Sequence, residues 1–432
     1  MKFAFHTLGC KVNQFETQSL QLILSKKGHS VVDDFAIADV IVVNTCSVTS
    51  TSDRKSRRII RHFAKTYPNA KIAVCGCLSQ LSPDNIAKID GVSLVSGTSD
   101  KKAFAEALHR LSEGEKTELA IDKPLSRKEF ELLPAGGIFG HTRALLKIED
   151  GCTNFCTYCI IPYTRGPVRS MPIETAISEC NKLLLEGYKE IVITGIEIAS
   201  YGRDLTPKSS LYEIISVLCE KFPTIRFRLG SIEPRIITEE FCVKLSSFTN
   251  LCPHFHLSMQ SGCDETLARM HRKYDTARFY ESVVLLRKYF PECAITTDMI
   301  VGFPGEDEEE FSKTLSFIEK CRFASMHIFP YSRRAGTPAD KMENQLTQSE
   351  KAQRASRGAE IANKMKQEYL NSRIGKTEAV LFEEIDNGYW CGHAKNSVMV
   401  YVKSDTDLSN TVCDILIKET FKDGLLGEII EA

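Results

Sequence analysis

The segment that runs from Gly151 to Cys159 contains three cysteines, Cys152, Cys156 and Cys159. Three thiolates at this close spacing can hold one small metal centre from a single loop. A 4Fe–4S cluster bound by three cysteines leaves one iron open for another ligand. A structural zinc ion usually requires four closed ligands, for which His141 is the nearby candidate. The spacing therefore favours an iron–sulfur cluster, with zinc as the alternative.

Three further cysteines, Cys10, Cys46 and Cys77, each stand directly after a predicted strand in the first part of the chain. The carboxyl ends of parallel strands meet at one edge of a sheet, where open α/β sheets bind ligands. These residues can therefore converge although they lie far apart in the sequence, and they predict a shared metal site. Cys75 is a rival ligand to Cys77, but its position inside the strand directs it elsewhere or into the core.

The chain has 16 cysteines in 432 residues. It has no recognisable export signal and no apolar run long enough to span a membrane. We therefore expect a cytoplasmic protein in a reducing compartment, where disulfides are rare. The remaining cysteines are predicted to be reduced packing residues: Cys180, Cys219, Cys242, Cys252, Cys263, Cys293, Cys321, Cys391 and Cys413.

The elements that must position the first group of cysteines alternate between strand and helix patterns. Strands are predicted over 3–7, 40–44 and 72–75, and helices over 14–27, 53–66 and 101–111. This alternation is typical of an α/β domain with an open, mostly parallel sheet, here assigned to residues 1–118. A polar segment over 112–137 is expected to connect it to the next domain.

A longer alternation predicts a central domain over 138–370. Strands are expected over 144–148, 190–194, 226–230, 255–258, 295–301 and 324–330. Helices are expected over 173–186, 211–221, 239–246, 276–289, 308–320 and 349–371. Six β/α units in succession indicate a partial (β/α)6 barrel, whose reactive groups gather at the carboxyl ends of the strands. Short β-type runs over 372–432, at 377–382, 398–402 and 411–417, predict a small C-terminal β-barrel.

Polar and small residues recur at the predicted strand ends of the central domain. Collectively they favour a ligand site at this edge, and Tyr158, the aromatic residue before the last cysteine of the loop, is added by the family resemblance of that loop. The candidates are Tyr158, Thr194, Gly195, Glu197, Ser231, Glu233, Gln260 and Asp298.

The loop of Cys152, Cys156 and Cys159 resembles that of the radical S-adenosylmethionine (radical SAM) superfamily. With the N-terminal cysteines included, the whole chain is similar to the methylthiotransferase family within it. Further matching segments are 228–234, 257–262, 298–306 and 331–338.

The resemblance implies S-adenosyl-L-methionine and two 4Fe–4S clusters, with one cluster on each group of three cysteines. It also implies an enzyme that generates a 5′-deoxyadenosyl radical and transfers a methylthio group to an unactivated carbon. The C-terminal barrel corresponds to a TRAM domain, which is associated with RNA binding.

Two segments, 7–14 and 44–49, resemble the branch that modifies N6-threonylcarbamoyladenosine at position 37 of tRNA. The alternatives are modification of isopentenyl-adenosine tRNA or of a ribosomal-protein aspartate. An alternative of another class is a non-catalytic, metal-stabilised RNA-binding protein. Glu197 departs from the family pattern, because relatives often carry Asn or His at this position, so the contact there with the cofactor's amino group is left open.

The formal net charge of −1 gives no global sign of nucleic-acid binding, so any tRNA surface must be local. A basic run on the second predicted helix is one candidate, although such runs are often plain solvated faces. It comprises Arg54, Lys55, Arg57, Arg58, Arg61 and Lys65. The C-terminal barrel is acidic, so its contact with RNA would need a local face such as Tyr389, Trp390, Lys395 and Asn396. The expected partners are tRNA and an electron donor of unknown identity, and the expected oligomeric state is a monomer.

Overall fold

The computed structural model describes residues 1–112, 121–136 and 142–430. The N-terminal region contains one parallel sheet with the strand order β2-β1-β3-β4-β5. Its strands are β1 (Lys2–Thr7), β2 (Ser30–Val31), β3 (Val40–Thr45), β4 (Lys71–Gly76) and β5 (Val92–Val95). Its helices are α1 (Lys11–Lys26), α2 (Ser50–Thr66), α3 (Cys77–Leu81), α4 (Pro83–Ala87) and α5 (Lys101–Ser112).

The burial of the central strand β3 shows that this sheet is covered on both faces. All six of its residues are buried, and four of them are Val or Ile. Continuous β-branched runs are typical of parallel strands that have helices on both sides. The expected parallel sheet is confirmed, and the short edge strands β2 and β5 were not predicted.

The central region forms an open barrel from two parallel sheets, with the orders β10-β9-β6 and β11-β12-β13-β14. Its strands are β6 (Arg143–Lys147), β7 (Glu149–Asp150), β8 (Arg169–Ser170), β9 (Glu190–Thr194), β10 (Arg226–Leu229), β11 (Ser231–Ile232), β12 (His254–Gln260), β13 (Ala294–Val301) and β14 (Ser325–Pro330). Its helices are α6 (Ile161–Arg165), α7 (Ile173–Leu185), α8 (Leu211–Lys221), α9 (Glu239–Ser246), α10 (Asp264–Arg269), α11 (Thr276–Tyr289), α12 (Glu308–Cys321) and α13 (Gln348–Asn371).

The six main strands of this arc follow one another in chain order, and the ladder is interrupted at Gly230, between β10 and β11. The predicted partial (β/α)6 barrel is therefore confirmed. The strands β7, β8 and β11 are too short to leave a pattern in the sequence, and they were not predicted.

The C-terminal region is a closed five-stranded barrel with the order β15-β16-β17-β19-β18. Its strands are β15 (Thr377–Asp386), β16 (Tyr389–Ala394), β17 (Met399–Val402), β18 (Val412–Phe421) and β19 (Gly424–Ile429). The barrel interior is apolar and includes Val380, Phe382, Val400, Ile415 and Leu425. The expected small barrel is confirmed, although β16 and β19 were not predicted.

A buried charge network joins the N-terminal sheet to the central barrel. Arg165 at the end of α6 is completely buried and forms an ion pair with Glu16 of α1. Its guanidinium also donates to Asn13 Oδ1 at 2.8 Å. Lys147 lies 3.6 Å from Glu16 and 3.2 Å from Asp150. These contacts connect helix α1, which follows Cys10, to the segment that follows Cys159.

A second buried network joins the central barrel to the C-terminal barrel. Glu190 at the start of β9 accepts hydrogen bonds from Arg226 at 2.7 Å and from Arg228 at 2.7 Å. Both guanidinium groups also donate to backbone carbonyls of the C-terminal barrel, Arg226 to His393 and Arg228 to Ala394. The Glu190 carboxylate therefore orients two arginines that also donate hydrogen bonds to the C-terminal barrel.

The predicted interdomain connection is described only over 121–136, and Gly137 and His141 lie outside the described residues. Within it, Leu133 and Ala135 are buried in the main core. Arg127 donates to the carbonyl of Thr164 at 3.2 Å. This part of the connection is thus packed against the barrel. No helix in the described part of the chain is both long and apolar enough to cross a membrane.

Candidate active site

The N-terminal cysteines converge because their three strands are neighbours in the sheet. Cys10 follows β1, Cys46 follows β3 and Cys77 follows β4. Gly9 lies so close to Cys46 that a Cβ atom on it would be 2.8 Å from the Cys46 Sγ atom. Burial raises the pKa of Cys77 to about 12, and the nearby Cys10 and Cys46 contribute in the same direction. The structure therefore brings the three predicted residues together, and we call them the N-terminal triad.

Two local features hold the backbone around the N-terminal triad. Gly76 has a φ of 103°, and a Cβ atom there would lie 2.4 Å from the Thr45 carbonyl oxygen. A side chain is therefore excluded at this position. The Asn13 amide donates to the carbonyls of Leu8 at 2.8 Å and Thr45 at 3.0 Å. It thereby connects the ends of β1 and β3.

Cys152, Cys156 and Cys159, which we call the core triad, lie on the loop between β7 and α6. The backbone of the loop is fixed at both ends, because Cys152 N–H donates to the Gly166 carbonyl at 3.0 Å and Cys159 N–H donates to the Cys156 carbonyl at 2.9 Å. Burial raises the pKa of Cys159 to about 12, with Cys156 acting in the same direction. This loop therefore carries its three cysteines on a fixed backbone, with Cys156 buried and Cys152 and Cys159 partly exposed.

Arg272 brings a positive charge to the core triad. Its guanidinium lies 3.4 Å from Cys156 Sγ and 3.5 Å from the Tyr158 hydroxyl oxygen. A further hydrogen bond to the Ser258 carbonyl, at 3.1 Å, fixes its orientation. Tyr158, a predicted cofactor contact, is partly buried and packs against Phe303, with ring centroids 6.4 Å apart. Arg272 was not predicted from the sequence, where its signal is a short basic run after the fourth barrel strand.

Glu197 and Glu149 form an acidic pair beside the core triad. Glu197 N–H donates to Glu149 Oε2 at 2.6 Å, and Asn154 of the cysteine loop donates to Glu197 Oε2 at 3.4 Å. Burial, together with the charge of Glu233, raises the pKa of Glu197 to about 7. The second oxygens of Glu197 and Glu149 are buried without a hydrogen-bond partner. Unpartnered buried acceptors are costly, so this position suits a ligand that donates hydrogen bonds.

The other predicted cofactor contacts have different surroundings. Gly195 leaves no room for a side chain, since a Cβ atom would lie 2.8 Å from the Glu149 carbonyl oxygen. Glu233 is buried and already accepts two hydrogen bonds from Arg235 Nε, at 2.7 and 2.9 Å. Gln260 ends β12 with a φ of 67°. Asp298 lies 3.2 Å from His256 Nε2.

A cavity of about 740 Å³ extends from the N-terminal triad into the central barrel. Its lining brings Cys10 together with the predicted residues Thr194, Gly195, Ser231 and Asp298. Tyr158, Glu197, Glu233 and Gln260 do not line it. The lining also includes residues that were not predicted, among them Lys11, His254, His256, His327 and Lys366.

The donor sets of the two triads fit iron–sulfur clusters. Among the described residues, no three His, Cys, Asp or Glu side chains converge closely enough to hold a single metal ion. A 4Fe–4S cluster does not require such convergence, because each cysteine binds a different iron. The raised thiol pKa values belong to the protein without metal, since a bound cation stabilises thiolates. Cys75 is buried in the apolar cluster between the sheet and α1 and α5, away from this set.

The two predicted nucleic-acid surfaces differ in the structure. Along α2 the basic residues lie on the surface, and within the described chain none of them forms an ion pair with a carboxylate. In the C-terminal barrel, Trp390 is only 9% exposed because it lies in the apolar interior. Lys395 donates to the Thr249 carbonyl at 2.9 Å, and Asn396 is buried against Glu378. The expected local face therefore does not present Trp390 or Asn396, whereas Tyr389 remains partly exposed.

Comparison with known families identifies both halves of the site. The model of the uncharacterized protein family UPF0004 matches residues 2–97, which contain the N-terminal triad. The model of the radical SAM superfamily matches residues 146–318, which contain the core triad. This superfamily implies S-adenosylmethionine and a 4Fe–4S cluster as cofactors.

Curated relatives match nearly the full length. Threonylcarbamoyladenosine tRNA methylthiotransferase MtaB of Bacillus subtilis (strain 168) is 36% identical, over 99% of this chain and 97% of that protein. The protein of the same name from Thermotoga maritima is 40% identical, over 87% of this chain and 85% of its own. A tRNA-2-methylthio-N(6)-dimethylallyladenosine synthase of Clostridium botulinum (strain Okra / Type B1) is 32% identical, over 99% of this chain and 97% of that protein.

Solved structures share the fold at low sequence identity. The radical S-adenosylmethionine methyltransferase TsrM from Kitasatospora setae superposes with a TM-score of 0.59 at 13% identity. The match covers 78% of this chain and 73% of that one. Sequence identity over nearly the full length, both family models and the two triads lead to one conclusion. The chain belongs to the methylthiotransferase family of the radical SAM superfamily.

Proposed function

We propose that this enzyme transfers a methylthio group to the adenine of N6-threonylcarbamoyladenosine at position 37 of tRNA. Relatives named for the threonylcarbamoyl substrate are 33–40% identical to the chain. Relatives named for the dimethylallyl substrate are 31–32% identical. The identity values therefore support the threonylcarbamoyl substrate over the dimethylallyl one.

The observation that carries the proposal is the cavity that connects Cys10 of the N-terminal triad to strand ends of the central barrel. Cys10 and the strand-end residues Thr194, Gly195 and Ser231 all line this cavity. A volume of about 740 Å³ is within the usual range for a small-molecule site. A modified nucleoside that is turned out of an RNA loop has this size class, and enzymes that act on bases commonly use such extrusion.

In this proposal Cys152, Cys156 and Cys159 hold one 4Fe–4S cluster, and Cys10, Cys46 and Cys77 hold the second. When bound with S-adenosylmethionine, the first cluster supplies the radical chemistry of the superfamily. Glu197 and Glu149 accept hydrogen bonds from the amino group of the cofactor with the oxygens that have no partner in the protein. Arg272 orients Tyr158 and places a fixed positive charge beside Cys156.

The remaining parts of the chain serve substrate delivery in this proposal. The exposed basic face of α2 begins just after Cys46 and contacts tRNA phosphates. The C-terminal barrel acts as a TRAM domain that contacts the same RNA. The enzyme works as a cytoplasmic monomer with an electron donor of unknown identity, and its three domains are 1–118, 138–370 and 372–432.

The test uses mass spectrometry of tRNA nucleosides from cells with and without the gene. We expect 2-methylthio-N6-threonylcarbamoyladenosine to disappear without the gene, and N6-threonylcarbamoyladenosine to accumulate. Re-expression of the wild-type chain restores the product, whereas a Cys156→Ala chain does not. Loss of a methylthio-dimethylallyladenosine instead would assign the alternative tRNA substrate. Unchanged tRNA nucleosides in a host without a second such enzyme would exclude both.

A further inference from the structure

Lys11 places an unpaired positive charge in the cavity, one residue after Cys10. It is the first residue of α1, and its side chain lines the cavity wall. In the described part of the chain, Lys11 forms no ion pair and no side-chain hydrogen bond. The first turn of α1 also contains no acidic residue that would balance the positive end of the helix dipole.

The charged groups around Lys11 leave an excess of positive charge. Arg228 and Arg143 are the positive groups that act on it most strongly, and Glu190 is the negative one. Glu190 is already shared between Arg226 and Arg228. Arg143 is paired with Glu383 at 3.0 Å. These carboxylates are therefore bound to arginines and do not neutralise Lys11.

The two acidic residues of the cavity wall contact groups other than Lys11. Asp298 lies 3.2 Å from His256 Nε2, and Asp423 accepts a hydrogen bond from the Tyr401 hydroxyl at 2.8 Å. The cavity thus presents a cation whose partner is not part of the described protein. Lys11 is exposed at this cavity, so its ammonium group is open to a ligand that carries an anion.

We propose that Lys11 binds the carboxylate of the threonylcarbamoyl group and thereby selects this substrate. The inference rests on the proposed function and adds a residue that distinguishes the two tRNA substrates. Threonylcarbamoyladenosine carries a carboxylate on its N6 substituent, whereas the dimethylallyl group is an uncharged hydrocarbon. A cation at this position therefore separates the two nucleosides by charge. An RNA phosphate is the other anion that could reach Lys11, and the experiment distinguishes the two sources.

The test measures the dissociation constants of the full-length, cluster-reconstituted enzyme for three anticodon stem-loop RNAs. They are identical except at position 37, which carries threonylcarbamoyladenosine, dimethylallyladenosine or unmodified adenosine. For the wild type we expect preferential binding of the threonylcarbamoyl RNA. Lys11→Gln should weaken the binding of that RNA about tenfold, or about 1.4 kcal/mol, and leave the binding of the other two unchanged, because it removes a charge-assisted contact. Lys11→Arg, which keeps the charge, should retain the preference.

Lys366→Gln is the matched variant, because Lys366 also lines the cavity but lies on α13. Loss of the preference in Lys366→Gln and its retention in Lys11→Gln would overturn the proposal. Equal weakening of all three RNAs by Lys11→Gln would also overturn it, since it would assign Lys11 to a phosphate or to the charge of the neighbouring cluster. If the wild type neither prefers nor methylthiolates the threonylcarbamoyl RNA, the proposed function itself fails, and this inference fails with it.

Discussion

The two cysteine triads are assembled by different routes. The core triad comes from one loop, and its geometry depends on hydrogen bonds within and next to that loop. The N-terminal triad comes from the ends of three neighbouring strands, and its geometry depends on the correct order of the whole sheet. A change near the core triad should therefore act locally, whereas changes throughout the N-terminal sheet can disturb the other triad.

The largest effect should follow from removal of a core-triad ligand. Cys156→Ala should reduce the formation of 5′-deoxyadenosine from S-adenosylmethionine to background, because it removes a proposed ligand of the radical cluster. Liquid chromatography of the reaction products measures this. Cys413→Ala is the control, since Cys413 lies on β18 in the C-terminal barrel and should retain full activity. Cleavage at the wild-type rate in Cys156→Ala would contradict the assignment.

Removal of an N-terminal-triad ligand should separate the two activities. Cys46→Ala should retain some cofactor cleavage but stop methylthio transfer, and iron content should fall from about eight to about four atoms per chain. Iron and acid-labile sulfide assays, together with product analysis, measure these quantities. Cys75→Ala, in the apolar cluster of the same sheet, should keep the wild-type iron content. Full transfer activity in Cys46→Ala would show that the N-terminal triad is not required.

The junction between the triads should be sensitive to a single buried cation. Arg165→Met leaves the carboxylate of Glu16 buried without its main partner, which should lower the free energy of unfolding by about 3–5 kcal/mol. Urea denaturation measures the change. The double variant Arg165→Met/Glu16→Met should recover part of the loss, because it removes the uncompensated charge. An unchanged midpoint in the single variant would show that the network does not stabilise the junction.

The second junction should depend on pH. Burial of Glu190 opposes its ionisation, but Arg228 and Arg226 outweigh this effect and lower its pKa from 4.5 to about 2. A pKa that is lowered in the folded state stabilises the protein at pH values above the ordinary pKa of 4.5. This stabilisation is lost as the pH falls through 4.5 towards 2.

The difference in unfolding free energy between the wild type and Glu190→Gln should therefore shrink between about pH 6 and about pH 3.5. Urea denaturation at several pH values measures this difference, and effects common to both proteins cancel. A difference that stays constant over this pH range would show that the Glu190 carboxylate does not stabilise the junction.

The contrast between the triads also explains which parts of the site the sequence predicts. The core triad is visible as a spacing, and the N-terminal triad becomes visible once the strands are placed in order. The ion pair between Glu16 and Arg165 joins residues 149 positions apart, and no local pattern indicates such a pair. The sequence did not predict Lys11 for a comparable reason. Whether its side chain has a partner depends on the residues around it in the folded protein.

Tertiary packing decides where other side chains point and which groups they contact. Trp390 lies on a barrel strand, and only closure of the barrel determines that it points inward. Glu233 was predicted as a cofactor contact because of its position after a strand, yet Arg235, two residues later, occupies its carboxylate. Position along the chain places these residues at the strand ends of the barrel, but it does not reveal which polar groups already have partners.

Closure of the C-terminal barrel has a consequence for recognition. Because β15 pairs with both β16 and β18, and β19 pairs with β17 and β18, the strand order has no free edge. Partners that bind by adding a strand need an open row of backbone amides and carbonyls, and a closed barrel does not offer one. Any molecule that docks on this barrel must therefore be recognised through side chains and loops, and single substitutions on its outer face should alter that recognition without disturbing the barrel itself.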